Sequence, residues 1–132
     1  MRLEMTRKAD LACRAMVALG QAGGRLKAAE IAERLDATSG FMPQVLGPLV
    51  EMGWVSSGNG PTGGYELGAD LDEVSVLDVV EAIDGPTDTG RCVVGGRSCN
   101  SAEPCPLHVA WASARTALIA ELAATPLSHL PV

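Results

Sequence analysis

A mainly α fold, a winged helix-turn-helix with a two-stranded wing, is predicted by three features of this sequence. Helical apolar spacing recurs in three segments before residue 53. Two short strand-like runs then flank a Gly- and Pro-rich turn. A long apolar stripe closes the chain.

Residues 8–20 read as the first helix, with Ala12, Ala15, Met16 and Leu19 at i, i+3, i+4, i+7 spacing. Gly20, Gly23 and Gly24 end it. Residues 28–35 form a second, short helix with Ile31 and Leu35 inward, and residues 36–40 turn the chain. Residues 41–52 carry Phe41, Val45, Leu49 and Met52 at helical spacing. Residues 54–57 and 65–67 read as strands joined by the turn residues 58–64. That turn lacks the Gly-Lys-Ser/Thr of a phosphate loop, so a hairpin accounts for it.

Residues 75–84 form another helix. Ser75 caps it, Asp78 completes a capping box, and Val76, Val79, Val80 and Ile83 make one apolar face. Gly85 and Pro86 stop it. After a loop over residues 87–106, Pro106 suits the first turn of a last helix. Its stripe of Leu107, Trp111, Ala114, Leu118 and Leu122 has little core left to cover, so a second subunit is its natural partner. The expected organisation is a DNA-binding region over 1–70, then a helix, cysteine loop and dimerisation helix over 71–132, in one compact unit.

The chain has 132 residues, 47% of them hydrophobic, enough for one core; with aromatics at only 3%, Leu, Val, Ile, Ala and Met must fill it. Its uncharged stretches are too short to span a bilayer. The first twenty residues imitate a signal peptide weakly. Asp10, Cys13 and Arg14 interrupt the apolar run, so it reads as a helix of a cytoplasmic protein. Net charge is −6, unevenly distributed: up to Gly68 seven basic residues balance seven acidic ones, while from Ala69 three basic face nine acidic. The first part can present a basic face to DNA; the second cannot easily do so.

Three of the four cysteines fall in one loop, in the order Cys92, six residues, Cys99, five residues, Cys105, two residues, His108. Gly, Ser, Asn and Pro around them make a poor core and a good ligand loop. In a reducing compartment such thiols are metal ligands rather than disulfides. Structural zinc sites commonly use Cys-x-x-Cys knuckles, and none is present; the wide gaps favour an iron–sulfur cluster modestly, and zinc stays open on spacing alone. Cys13 reads as a core thiol, and His129 has no partner pattern. No nucleophile–base pair or cofactor motif for an enzyme is found.

The chain resembles the iron–sulfur winged-helix regulators of the IscR, NsrR and RirA type over nearly its whole length. The resemblance rests on Met1-Arg2-Leu3, on Gly53-Trp54-Val55-Ser56-Ser57 and on the wing from Gly60 to Gly68. It also rests on Asp84-Gly85-Pro86, Arg91-Cys92, and Cys105-Pro106-Leu107-His108-Val109-Ala110-Trp111. It implies a homodimer that binds double-stranded promoter DNA and senses redox, nitric oxide or iron–sulfur status, with no membrane and no small-molecule substrate. By similarity, Cys92, Cys99, Cys105 and His108 ligate a [2Fe–2S] cluster. The first gap is one residue longer than usual in IscR, so a [4Fe–4S] cluster stays open. In that NsrR-like case Asp10, on the first helix of the partner subunit, replaces His108.

The recognition segment departs from these relatives. Residues 38–50 hold no charge, and their polar side chains are Thr38, Ser39 and Gln44. Relatives carry basic residues in this helix and an arginine at the wing position of Asn59. Pro43 fits a first turn, whereas Pro48, beside Gly47, is expected to kink the helix. Gln44 suits adenine. The expected DNA-contact set is Arg2, Lys8, Lys27, Thr38, Ser39, Gln44 and Asn59, with Arg7, Arg25 and Arg34 also in reach of phosphates. The rival reading is a zinc-stapled protein-interaction module that has lost specific DNA binding.

Overall fold

The computed structural model describes residues 1–95 and 102–131. Its elements are α1 (Arg7–Ala22), α2 (Ala28–Leu35), a 3-10 turn (Ser39–Phe41), α3 (Met42–Glu51), β1 (Val55–Gly58), β2 (Gly64–Leu67), α4 (Val76–Asp84), α5 (His108–Ala123) and a 3-10 turn (Leu127–His129). The architecture is the expected winged helix-turn-helix with a long C-terminal helix.

Thr6 starts α1. Its hydroxyl accepts from the Ala9 N–H at 3.2 Å and donates to Asp84 at the end of α4, 2.9 Å from Oδ2. One side chain thus caps α1 and ties it to α4. The helix ends at Gly23, whose left-handed φ of 67° lets its N–H return to the Leu19 carbonyl. Ala9, Leu11, Ala12, Cys13 and Ala15 through Leu19 are all buried, because α2, α3, α4, β2 and the last 3-10 turn surround α1.

At the start of α2 the Lys27 N–H donates to the Glu30 carboxylate at 2.7 Å. Lysine has no acceptor to return, so this capping box has one arm. Asp36, at φ 52°, closes α2 in the left-handed region that aspartate tolerates. The 3-10 turn leads into α3, with Pro43 in the first turn as expected. The helix runs on through Pro48 to Glu51. Its buried face is Met42, Val45, Leu46 and Leu49. Of the face expected from spacing, Val45 and Leu49 are buried, Phe41 is half-buried and Met52 is exposed. The 3-10 entry sets the helix phase at Met42, and a segment apolar almost all round does not reveal that phase.

Strands β1 and β2 pair antiparallel from Val55↔Leu67 to Gly58↔Gly64. Leu26 and Tyr65 exchange both backbone hydrogen bonds, at 2.9 and 2.7 Å, which pins the wing to the entry of α2. Gly64 has φ 113°, and a Cβ there would lie 2.7 Å from the Leu26 carbonyl oxygen, so the close approach requires glycine.

Helix α4 carries both arms of the expected capping box: Asp78 N–H to Ser75 Oγ at 3.1 Å and Ser75 N–H to Asp78 Oδ2 at 2.9 Å. Beyond α5 the chain returns to the segment before α4. The Val76 N–H donates to Thr125 O, and the Leu127 and Ser128 N–H groups donate to Val74 O and Leu71 O. Leu127 is fully buried there. No residue of α5 itself is buried. Its inner side is His108, Trp111, Ala112, Arg115, Ile119 and Leu122, all half-buried. Of the stripe expected to meet a second subunit, Leu107, Ala114 and Leu118 are exposed, while Trp111 and Leu122 are half-buried on the inner side. Pro106 stands just before the helix rather than in it. Among the described residues no helix is long and apolar enough to cross a membrane.

Removing the Thr6 hydroxyl breaks the cap and the link to Asp84. Thr6→Ala should cost about 1–2 kcal/mol in urea unfolding, and Thr6→Ser should restore most of it. An alanine variant as stable as the parent would show that the link carries nothing.

Candidate metal centre and nucleic-acid face

Cys92, Cys105 and His108 line one open cavity of about 300 Å³, together with Asp88, Trp111 and Arg115. Two short devices build it. Cys105 and His108 are the first and last residues of a single turn, closed by the His108 N–H on the Cys105 carbonyl at 3.0 Å. Pro106 sits second in that turn, and Leu107 third at φ −94°, ψ −1°, as a type I turn requires. Opposite, the loop that brings in Cys92 is tied at its start. The Thr87 N–H donates to Glu81 of α4 at 2.6 Å, and the Gly90 N–H donates to Asp88 Oδ1 at 3.0 Å. Cys92 is buried, and its sulfur accepts from the Val94 N–H at 3.4 Å.

Cys99 lies outside the described residues. Among the described residues no three His, Cys, Asp or Glu side chains converge on a point that one metal ion would take. Asp10 does not line the cavity. It stands half-exposed on α1 with Oδ2 3.3 Å from Arg14 Nε, an ion-pair distance without hydrogen-bond alignment, since that nitrogen is buried with no hydrogen-bond partner.

Among the lining residues that the sequence did not point to are Asp88, Trp111 as a cavity wall, and Arg115. The signal for the last two was helical spacing, since 108, 111 and 115 fall on one face. Arg115 Nη1 lies 3.6 Å from Asp88 Oδ1, and the arginine side chain is only 22% exposed.

The expected nucleic-acid residues lie on the helix-turn-helix and wing. Thr38, Ser39, Gln44 and Asn59 are exposed, as are Lys27 and Arg2, while Lys8 is half-buried. Arg2 sits 3.4 Å from Glu4 in an exposed pair of little energetic weight. Arg7 shares a shallow cleft with Thr38 and Phe41 at the entry to α3. Arg25, at 3.7 Å from Glu66 of β2, is partly neutralised.

Comparison with known proteins follows the same lines. The family model described as "Rrf2: Iron-dependent Transcriptional regulator" matches residues 5–131. The HTH-type transcriptional regulator IscR of Escherichia coli is 35% identical over 111 residues, covering 83% of this chain and 68% of that protein. The fold is similar to that of CymR (YrzC), the global cysteine regulator of B. subtilis. The TM-score is 0.76 at 24% identity, over 96% of this chain and 95% of that one. It is also similar to IscR of T. potens, with a TM-score of 0.74 at 21% identity over 96% and 84%. These two structures support the fold alone.

The fourth cysteine, Cys13, is buried on α1 and does not line the cavity. Burial in α1, then the nearby Asp10 charge, push the Cys13 thiol up to about 12. An unfolded chain ionises the same thiol near pH 8.5–9, so the unfolded state loses that proton first. Cys13 should therefore cost no stability below about pH 8.5 and should lower it progressively between there and about pH 12. A Cys13→Ser variant would show a flatter loss of stability over that window. Native protein treated with iodoacetamide at pH 8 should leave Cys13 unmodified.

Proposed function

The chain belongs to the Rrf2 family of transcriptional regulators, and from that premise we propose that it takes its signal through an iron–sulfur cluster held by Cys92, Cys99, Cys105 and His108. Members of the family are DNA-binding regulators, not enzymes. The observation that carries the proposal is the shared cavity of Cys92, Cys105 and His108. Thiolate and imidazole are the donors that iron–sulfur centres use. The gaps of six and five residues between the cysteines, with no Cys-x-x-Cys knuckle, favour iron and sulfide over zinc modestly.

We assign His108 as the fourth ligand of a [2Fe–2S] cluster, since imidazole is an attested ligand in such centres and the Cys105–His108 turn presents both side chains together. A [4Fe–4S] cluster completed by Asp10 from a second copy is the alternative. When bound, the cluster supplies a centre sensitive to oxidants, nitric oxide or iron supply. The protein's part is to hold the donors between a loop tied to α4 and the first turn of α5.

The working form is a cytoplasmic homodimer. Helix α5 is apolar around most of its circumference yet has no buried residue; Val109 is 75% exposed and Leu118 44%. A helix of that composition is stable when covered, and a second α5 is the cover. On promoter DNA, Thr38, Ser39 and Gln44 face base edges, Asn59 of the wing lies beside the duplex, and Arg2, Lys8 and Lys27 meet phosphates.

Protein purified without oxygen should be brown or red and should bind its own promoter differently with and without the cluster. Each of Cys92→Ala, Cys99→Ala and Cys105→Ala should remain folded and lose the visible band. Colourless parent protein containing zinc would replace this reading with the interaction-module one. Leu118→Glu should turn the dimer into monomer or prevent folding, because it places a charge in the apolar contact. A parent protein that sediments as a monomer at micromolar concentration would refute the dimer.

A further inference from the structure

Two arginines line the cavity without belonging to the ligand set, the exposed Arg91 on the cysteine loop and the half-buried Arg115 on α5. Arg115 lies on the inner side of α5, two turns beyond His108, and lines the same cavity as Cys92, Cys105 and His108. Its side chain is largely removed from solvent, at 22% exposed, whereas its partner Asp88 is 60% exposed. Both line the cavity, and the arginine's charge is the less screened of the two. Asp88 also holds the backbone of its own loop. The same Oδ1 that meets Arg115 at 3.6 Å accepts the Gly90 N–H at 3.0 Å. Gly90 has φ 71° and precedes Cys92 by two residues. A continuous path therefore runs from α5 through Arg115 and Asp88 to the turn that presents Cys92.

Three thiolates around an iron–sulfur core make the assembly anionic, and reduction by one electron adds a further negative charge. A fixed guanidinium nearby stabilises the more negative state. We propose that Arg115 is the positioning residue of this site: it supplies the counter-charge for an anionic cluster and, through Asp88, fixes the loop that presents Cys92. Its first half rests on the iron–sulfur reading above; its second half does not.

The test uses full-length protein carrying Arg115→Gln, Arg115→Lys or Asp88→Asn. The first measurement is an anaerobic titration with dithionite followed by visible absorption, in which one electron passes from dithionite to the cluster and converts one iron(III) to iron(II). Arg115→Gln should move the midpoint to more negative potential, and Arg115→Lys should stay near the parent. Asp88→Asn should move it to more positive potential, because a negative charge has been removed. A merely structural pair would send the Gln and Asn variants the same way, or move neither, and either result overturns the counter-charge. If Arg115→Gln takes up no cluster, the direction of the Asp88→Asn shift decides alone.

The second measurement is tryptic cleavage after Arg91 in metal-free protein, read by mass spectrometry. Arg115→Gln and Asp88→Asn should both be cut there several-fold faster than the parent. Unchanged rates in both overturn the positioning role. Colourless parent protein would sink the iron–sulfur reading itself, and the cleavage rates would still decide whether Arg115 fixes the loop.

Discussion

Burial of α1 on nearly every side is the constraint from which the rest of the structure follows. Leu11, Met16 and Leu19 are essentially inaccessible, and each contributes about 1.5–3 kcal/mol by leaving water. Beside them stand Ala9, Ala12, Ala15 and Ala18, all at 0% exposure. Side chains that small let several elements close on one helix. The helix-turn-helix packs on it through α2 and α3, the wing through β2, and the second part of the chain through α4 and the last 3-10 turn. Among the described residues one core cluster joins these elements. Thr6 makes the same point with one hydroxyl, joining the start of α1 to the end of α4.

This shared core explains why the secondary structure was legible. Residues with strong local signals gave their elements almost to the residue. Ser75 and Asp78 announced α4, Ile31 and Leu35 announced α2, and the Gly-rich turn announced the wing. What was not legible depended on phase and on distant pairing. The α3 face slipped because its segment is apolar almost all round. The bridge between Leu26 and Tyr65 carries no local signal, since it joins residues thirty-nine positions apart. On α1 the spacing marked one stripe, while the surrounding elements bury nearly the whole helix. In the cavity, Cys92, Cys105 and His108 were visible by type and spacing. Asp88 was not, because a single aspartate gains meaning only when the fold places it, and Arg115 carried only its helical spacing from His108.

Helix α5 sits between two fixed points. At its start, the Cys105–His108 turn belongs to the cavity; past its end, residues 125–128 are hydrogen-bonded to the segment that precedes α4. Between those points it touches α4 but buries nothing. A helix held at its ends and loosely covered along its length is free to change its seating when either end changes. On the proposed reading the end that changes is the cavity. Loss of a bound anionic centre would remove what holds Cys92 and the first turn of α5 together, leaving the ties through Asp88 and Glu81.

That arrangement bears on how so sparsely charged a reading head works on DNA. On α3 the exposed positions Pro43 and Gln44 carry no charge, and Glu51 is acidic. Arg25, the wing's nearby cation, is shared with Glu66. On the proposed contacts each reading head would neutralise few phosphates, and one copy alone would hold a duplex weakly. Two heads on one duplex multiply those few contacts, provided that their separation matches the half-sites. In the proposed dimer that separation is set by the contact between the two α5 helices. A small change in the seating of α5 would then cost the second head its register, and with it most of the affinity. A richly basic recognition helix would cling through such a shift by its own phosphate contacts; an uncharged one leaves only the few proposed for Arg2, Lys8 and Lys27. On that argument the empty recognition helix is no defect, because it makes binding depend on the geometry that the cavity controls.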